Sequence, residues 1–447
     1  MLNEEIIKRN FQKKKYLHFD KRIEFKKVED YVCNSENIRT HSFLPFIHYV
    51  DETERFTDEP NPELENRPIK KKPRDIMYAG HLDNYIYKYY TLELYKSYNN
   101  WMKNHKIDQC ATAYRDNKRN KSNIDFSAEV INSIISNKEA YILVGDFTKF
   151  FDKIDHKILK KNLIRVLGGN ELTKDWYNIF RSITKYGYYE KDEINNILGS
   201  DNHLRKKGQF SYFKSVNQFR KFQRKKKTNY NENKYGIPQG TALSGVFANV
   251  YAIEFDLEMN KIVEEYNGLY RRYSDDFIIV LPKKISYDKF NKITQQIFDF
   301  AEKNKIVIQD EKTNSYEYFS ETIINLISGK NSHLDYLGFL FDGNTVKIRG
   351  KSPYKFYRNA SIIINRARRI QYKKGLKKIP YRKRIYQLYT DMGAERKPYG
   401  NFISYAKNAQ RIFDDVSPKT DNKMLRQIKN RKGKLEKKMG LRIHTKI

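Results

Sequence analysis

Cysteine is nearly absent from this 447-residue chain: Cys33 and Cys110 are the whole supply. Two thiols make neither a disulfide framework nor a metal cluster, and they fit a reducing cytoplasm. Long apolar runs are lacking too. No stretch approaches the roughly 20 residues needed to cross a bilayer, and the opening MLNEEIIKRNFQKKK has no signal-peptide core. The expectation is a cytoplasmic protein with no membrane partner. Acidic charge is scarce beside basic charge: 87 Lys and Arg against 54 Asp and Glu leave +33. A coding bias towards Lys, Asn, Ile and Tyr is the alternative reading of part of that surplus. Its size still predicts a polyanionic partner, with nucleic acid first among them.

Aromatic residues are abundant, at 14% of the chain, so the composition is that of a packed protein and not a disordered one. Residues 1–65 read as an N-terminal extension that ends in the linker-like DEPNPELENRP. Residues 66–135 hold an aromatic-rich helical stretch, NYIYKYYTLELYKSYNNWM. Residues 136–345 are strongly patterned, except for a basic insert at about 185–235 that lacks a sustained period. A solvated loop and a nucleic-acid contact are equally good readings of that insert. Residues 346–447 are basic and mostly helical, either a clamp on RNA or duplex or a solvated helical face.

The chemistry begins at YRRYSDDFIIVLP, residues 270–282. Two strand-like runs flank the short polar Ser274-Asp275-Asp276, which reads as a hairpin with carboxylates at its tip. Asp is common in turns for its own sake. Adjacent carboxylates nevertheless repel unless a cation or a proton separates them, so a divalent metal is the sharper hypothesis, and it needs a third ligand. EAYILVGD supplies one: an apolar strand ending at Asp146. The helix DHKILKKNLIRVL, the buried helical face of TALSGVFANVYAIEFDLEM, the hairpin, a further helix and a last strand in KIVIQDEKT follow in order. That order is close to a ferredoxin-like βαββαβ unit, in which the first strand lies beside the hairpin. Asp146, Asp275 and Asp276 would then meet at one sheet edge. Such a triplet suits two Mg²⁺ ions, with Mn²⁺ as the alternative, for in-line phosphoryl transfer. Charge, topology and acids all point to a nucleotide polymerase.

The motifs that carry this reading resemble those of reverse transcriptases, over about residues 67–345. LVGDFTKFFDKID, GIPQGTALSGVFAN, YSDD, QDEKT and LDYLGFLF occur in the family's order, and AYRDNKR resembles a fingers segment. The resemblance implies an α+β right-hand polymerase fold: fingers at 66–135, a ferredoxin-like palm at 136–345 and a helical thumb-like or RNA-binding region at 346–447. It implies that Asp146, Asp275 and the Phe147 carbonyl ligate metal, with Asp276 completing the set. It also implies nucleotide contacts from Arg115, Gln239, Gly240 and Lys312, and a steric gate against the ribose 2′-OH at Phe151. Phe150 beside it is the better core candidate. The implied activity is RNA-directed DNA synthesis from dNTPs, with RNA and DNA as template, primer and cDNA product.

QGTALSGVFANVYAIEFD, RRYSDDFIIV and GNFISYAKNAQRIF look most like bacterial defence-associated lineages, the abortive-infection and unknown-group enzymes. That implies antiphage defence, a companion non-coding RNA and homo-oligomers. Two rival readings are an RNA-dependent RNA polymerase and a binding scaffold that retains an idle polymerase site.

Overall fold

The computed structural model describes residues 2–61, 67–309, 311, 313–390, 400–416 and 420–443. Its centre is a six-stranded sheet in the order β12-β11-β10-β5-β9-β8. The strands are β5 (Ala140–Asp146), β8 (Leu269–Tyr273), β9 (Asp276–Pro282), β10 (Asn314–Phe319), β11 (Thr322–Asn325) and β12 (Lys330–Asn331). All neighbours are antiparallel. Four of them, β10-β5-β9-β8, form the ferredoxin-like palm, with the first strand and the hairpin side by side. β5 and β9 are apolar on both faces because helices cover one side and a second apolar cluster the other.

The covering helices follow from their sequences. In His156–Leu167, the Asp155 carboxylate accepts from the Lys157 and Ile158 amides at 3.0 Å, which caps the first turn. Leu159, Leu163 and Val166 then recur on one buried face, and Gly168 at φ +76 ends the helix. Helix Tyr287–Lys303 repeats the logic, with Ser286 as cap and Phe290, Ile293, Ile297 and Ala301 turned inward. Between β5 and β8 lie the almost wholly buried Ala242–Tyr251 and then Ile253–Glu265.

Three expectations need correction. The last palm strand does not run through KIVIQDEKT. Ile306 to Gln309 instead cross the end of β5, where Thr148 donates to the Val307 carbonyl (2.7 Å) and Gln309 to the Asp146 carbonyl (2.9 Å). The ladder partner of β5 is β10, paired from Asn314↔Val144 to Tyr318↔Ala140. Its sequence NSYEYF alternates buried and partly exposed positions, a weaker signal than the apolar triplet before it. Secondly, the linker-like stretch contributes to an antiparallel hairpin, β2 (Thr53–Asn61) with β3 (Arg67–Lys72).

Thirdly, the basic insert is no solvated loop. It contains β6 (Gly187–Glu190), β7 (Asn229–Tyr230) and the helix Val216–Lys225. β6 pairs in parallel with β1 (Phe46–Val50), which pairs antiparallel with β4 (Asp75–Tyr78). The resulting sheet, β4-β1-β6-β7, joins the N-terminal section to the insert. Beneath it Phe219 stacks on Phe19 at 4.7 Å, and Tyr189, Phe213 and Phe222 fill out a separate small core.

The three-stranded unit β13 (Leu334–Tyr336), β14 (Phe339–Phe341) and β15 (Val346–Ile348) follows the palm. Helices Lys351–Lys373, Arg382–Tyr389, Phe402–Val416 and Lys423–Met439 then bury Ile364, Ile385, Phe413 and Met424 against it. No helix among the described residues is long and apolar enough to cross a membrane.

Candidate active site

The head of the palm sheet gathers the backbone positions of the three acids. Asp146 ends β5, Asp276 opens β9, and the register sets them directly opposite each other. Asp275 lies one residue back, in the two-residue connection from β8, and its carbonyl accepts from the Phe147 amide at 3.0 Å. Phe147 itself is buried against Phe150, Phe255 and Phe277. Gly145 is required beside Asp146: a Cβ there would fall 2.3 Å from the Phe277 ring, which is fully buried and paired with it across the ladder. The missing methyl sets the register of the acids.

Below the hairpin lies an ion pair that sequence reasoning missed. Arg272 and Asp256 have no solvent-exposed side-chain surface. Arg272 donates through Nε to Asp256 Oδ1 (2.7 Å) and through Nη2 to Oδ2 (2.6 Å). Its Nη1 donates to Asn249 Oδ1 (3.2 Å) and to the Ser274 carbonyl (2.9 Å). The Tyr270 hydroxyl donates to the same carboxylate at 2.7 Å. A buried guanidinium is tolerable only when paired and hydrogen-bonded in this way. It holds by its carbonyl a turn whose Ser274 sits in the left-handed region, at φ +63. The available signals were an Arg inside a strand pattern and an Asp inside a buried helical face.

The donor chemistry of the triplet fits a hard divalent cation, since all three groups are carboxylates and no His or Cys adjoins them in either strand. Among the described residues no three His, Cys, Asp or Glu side chains stand close enough together to hold an ion. Carboxylates on neighbouring positions repel, and a shared cation would offset that repulsion.

A cavity of about 560 Å³ takes in Phe151, Gln239, Gly240 and Tyr114 together with Arg9, Lys14 and Lys88. Phe151 is half-buried, whereas Phe150 is 5% exposed and part of the core. Tyr114 stands edge-on to Phe151 at 6.3 Å and packs where Gly245 leaves room: a Cβ on Gly245 would meet the Tyr114 ring at 2.8 Å. Gly240, at φ +130, lies so close to β4 that a Cβ would fall 2.2 Å from the Met77 carbonyl. The Met77 amide donates to the Gln239 carbonyl at 2.7 Å. Gln239 also donates to Asp152 Oδ1 at 3.4 Å, while desolvation pushes the Asp152 carboxyl above its ordinary value.

The cationic wall is not the expected one. Arg115 does not line this cavity. It is buried over the Tyr98 ring, its Nε donating to Asn99, its Nη1 to the Asp108 and Ala111 carbonyls and its Nη2 to Asp108 Oδ1 at 2.5 Å. Four of its five N–H groups are bonded within the protein, to Asn99, Asp108 and Ala111. Arg9, from the helix Glu4–Asn10, Lys14 and Lys88 stand in the cavity wall instead. Burial, then the Lys14 and Arg9 charges, hold Lys88 below its ordinary pKa. Lys312 lies outside the described residues.

The profile of the family described as reverse transcriptase (RNA-dependent DNA polymerase) matches residues 88–341, more than half of the chain. The chain belongs to the reverse transcriptase family. The matched span runs from the Lys88 helix to the end of β14, so it contains every strand of the palm sheet. No curated protein matches this reverse transcriptase in sequence. Among solved structures it is similar to the C-terminally truncated apo telomerase of Candida tropicalis. The identity is 15%, the TM-score 0.43, and the match covers 77% of this chain and 64% of that one. The apo telomerase of the same organism gives 12%, 0.44, 88% and 58%. Candida albicans telomerase in complex with a fragment of telomeric RNA gives 10%, 0.41, 92% and 65%. This chain thus spans less than two thirds of each of them, and no functional conclusion follows from likeness this distant.

Proposed function

We propose that the chain is an RNA-directed DNA polymerase whose centre is Asp146, Asp275 and Asp276. The observation that carries this reading is the cross-strand pairing of Asp146 with Asp276, and it is supported by a cavity lined by Phe151, Gln239, Gly240 and three cations, Phe151 following Asp146 by five residues. Two bound Mg²⁺ ions would supply Lewis-acid activation of the primer hydroxyl and neutralisation of the leaving pyrophosphate. Asp146, Asp275, Asp276 and the Phe147 carbonyl would hold them. The chain's own work is positioning. Arg9, Lys14 and Lys88 receive the triphosphate, Gly240 presents backbone to the nucleotide, and Gln239 contacts it. Phe151, backed by Tyr114, stands against the sugar's C2′ face and excludes a hydroxyl.

The basic helical C-terminal region serves as clamp for template and primer, and the charge of +33 supports RNA and DNA as partners. The sequence motifs further support a place among the defence-associated lineages. An antiphage role in the cytoplasm, a companion non-coding RNA and a homo-oligomeric state belong to that reading.

Primer extension with matched deoxy- and ribonucleotide pools tests the proposal. Wild type should prefer deoxynucleotides, Phe151→Ala should lose most of that preference, and Asp275→Ala with Asp276→Ala should incorporate nothing while still binding RNA. Each 1.4 kcal/mol of lost sugar discrimination is about a factor of ten in selectivity. A wild type that favours ribonucleotides would make RNA synthesis the better assignment. Incorporation by the acid variant would move the centre elsewhere.

A further inference from the structure

A second cavity, of about 460 Å³, lies outside the candidate active site between the helices His156–Leu167 and Lys174–Thr184. Its walls carry Lys157, Lys160, Arg181, Lys185, Lys234 and Lys305. Asp155 is the one carboxylate in the lining, and it is already committed to its capping bonds and to Lys305 Nζ at 2.5 Å. Among the described residues Lys157, Arg181 and Lys234 are exposed and have no ion-pair partner. Uncompensated cations in a concavity repel one another, so folding alone does not account for gathering them. Tyr177 adds a different element: its ring is 48% exposed, with Lys160 Nζ 5.3 Å from the centroid.

We propose that this cavity binds a segment of single-stranded nucleic acid. Phosphates would meet the unpaired cations, and one base would stack on Tyr177. A cationic groove with an exposed aromatic is what sequence-tolerant strand binding requires. A solvated basic face explains the charge equally well, but not the concavity or the exposed ring at its wall. The position suits a strand that passes the polymerase centre. Asp155 follows Phe151 by four residues and Lys234 precedes Gln239 by five. The two segments are joined by Ile237 donating to the Phe151 carbonyl (3.0 Å) and Gly236 to the Ile154 carbonyl (2.9 Å). The cavity therefore shares a wall segment with the gate. The inference goes beyond polymerisation, because binding here can be read without turnover.

The test uses the full chain and a 5-iodouridine-bearing oligonucleotide, as RNA and as DNA, with ultraviolet cross-linking and peptide mapping. A cross-link at Tyr177 is expected with at least one of the two sugars, and comparing them identifies the strand. The triple variant Lys157→Glu, Arg181→Glu, Lys234→Glu should abolish it. If three phosphate contacts are lost, the slope of log affinity against log salt should also fall by about 2. Tyr177→Phe should retain affinity where Tyr177→Ala loses it. An unchanged slope and a cross-link map without Tyr177 overturn the proposal. So does displacement by micromolar tripolyphosphate with no strand cross-link, which would make the ligand a small polyphosphate. All five substitutions, at four positions, lie on exposed side chains, and an unchanged melting temperature confirms folding. If primer extension fails while the Tyr177 cross-link persists, the polymerase assignment falls and the strand site stands.

Discussion

Arg272 shows how one side chain can matter to a reaction it does not touch. Its guanidinium joins the Asp256 carboxylate to the Ser274 carbonyl, and so ties the acidic turn to a helix beneath the sheet. Arg272→Met would leave Asp256 buried without its partner, at a cost of about 3–5 kcal/mol. Adding Asp256→Leu removes the stranded charge and should recover most of the melting temperature. Incorporation should stay low in the double variant, because the tether to Ser274 is still missing. Full recovery of kcat along with stability would reduce Arg272 to a purely structural role.

Lys88 gives a pH test at the same scale. Its pKa is held down by burial and by Lys14 and Arg9. Only the protonated form attracts a triphosphate, so KM for the nucleotide should rise as pH climbs through that lowered value. Lys88→Arg keeps its charge throughout and should flatten the alkaline limb of KM against pH. An identical limb in both proteins would detach Lys88 from substrate binding.

At the scale of elements, the palm hairpin depends on a close approach between two strands. Gly145→Ala would drive a methyl into the Phe277 ring, and a close-packed core yields little. Overpacking of this kind costs about 1–3 kcal/mol, and here it would also spread β5 from β9 where Asp146 faces Asp276. Phe277→Leu in the same chain should relieve the clash. Regained incorporation in that double variant, measured by primer extension, would show that strand spacing governs the acids.

The elements legible in the sequence were those that carry their own signal, whatever the distance to their partners. β5, the acidic hairpin and the helix His156–Leu167 each carry their own period and caps. The insert was opaque because its core is borrowed: Phe219 and Phe222 look unpatterned until Leu17, Phe19 and Ile47 are brought beneath them. The surroundings of Arg115 were hidden for a related reason. Its motif suggested a substrate contact, but the groups that occupy it, Asn99 and the Asp108 carboxylate and carbonyl, announce nothing in sequence. The apolar triplet Ile306–Ile308 looked like a strand and is a clamp on the end of one.

Across the whole molecule, the pairing of β1 with β6 has a consequence for synthesis on the ribosome. His48 lies across from Glu190 and hydrogen-bonds it at 2.7 Å, 142 residues away in sequence. At about 5–20 residues per second, β1 emerges roughly 7–28 s before its parallel neighbour exists. During that interval β1 has only β4 beside it in the sheet, and Phe46 lacks the Tyr186 ring that packs edge-on to it. Nascent chains arrested before residue 187 has left the tunnel should be cut by protease around Phe46. Those arrested with residue 240 exposed should resist. The birth of this chain therefore includes a window in which an unpaired strand edge is open to chaperones, or to a neighbouring copy on the same message.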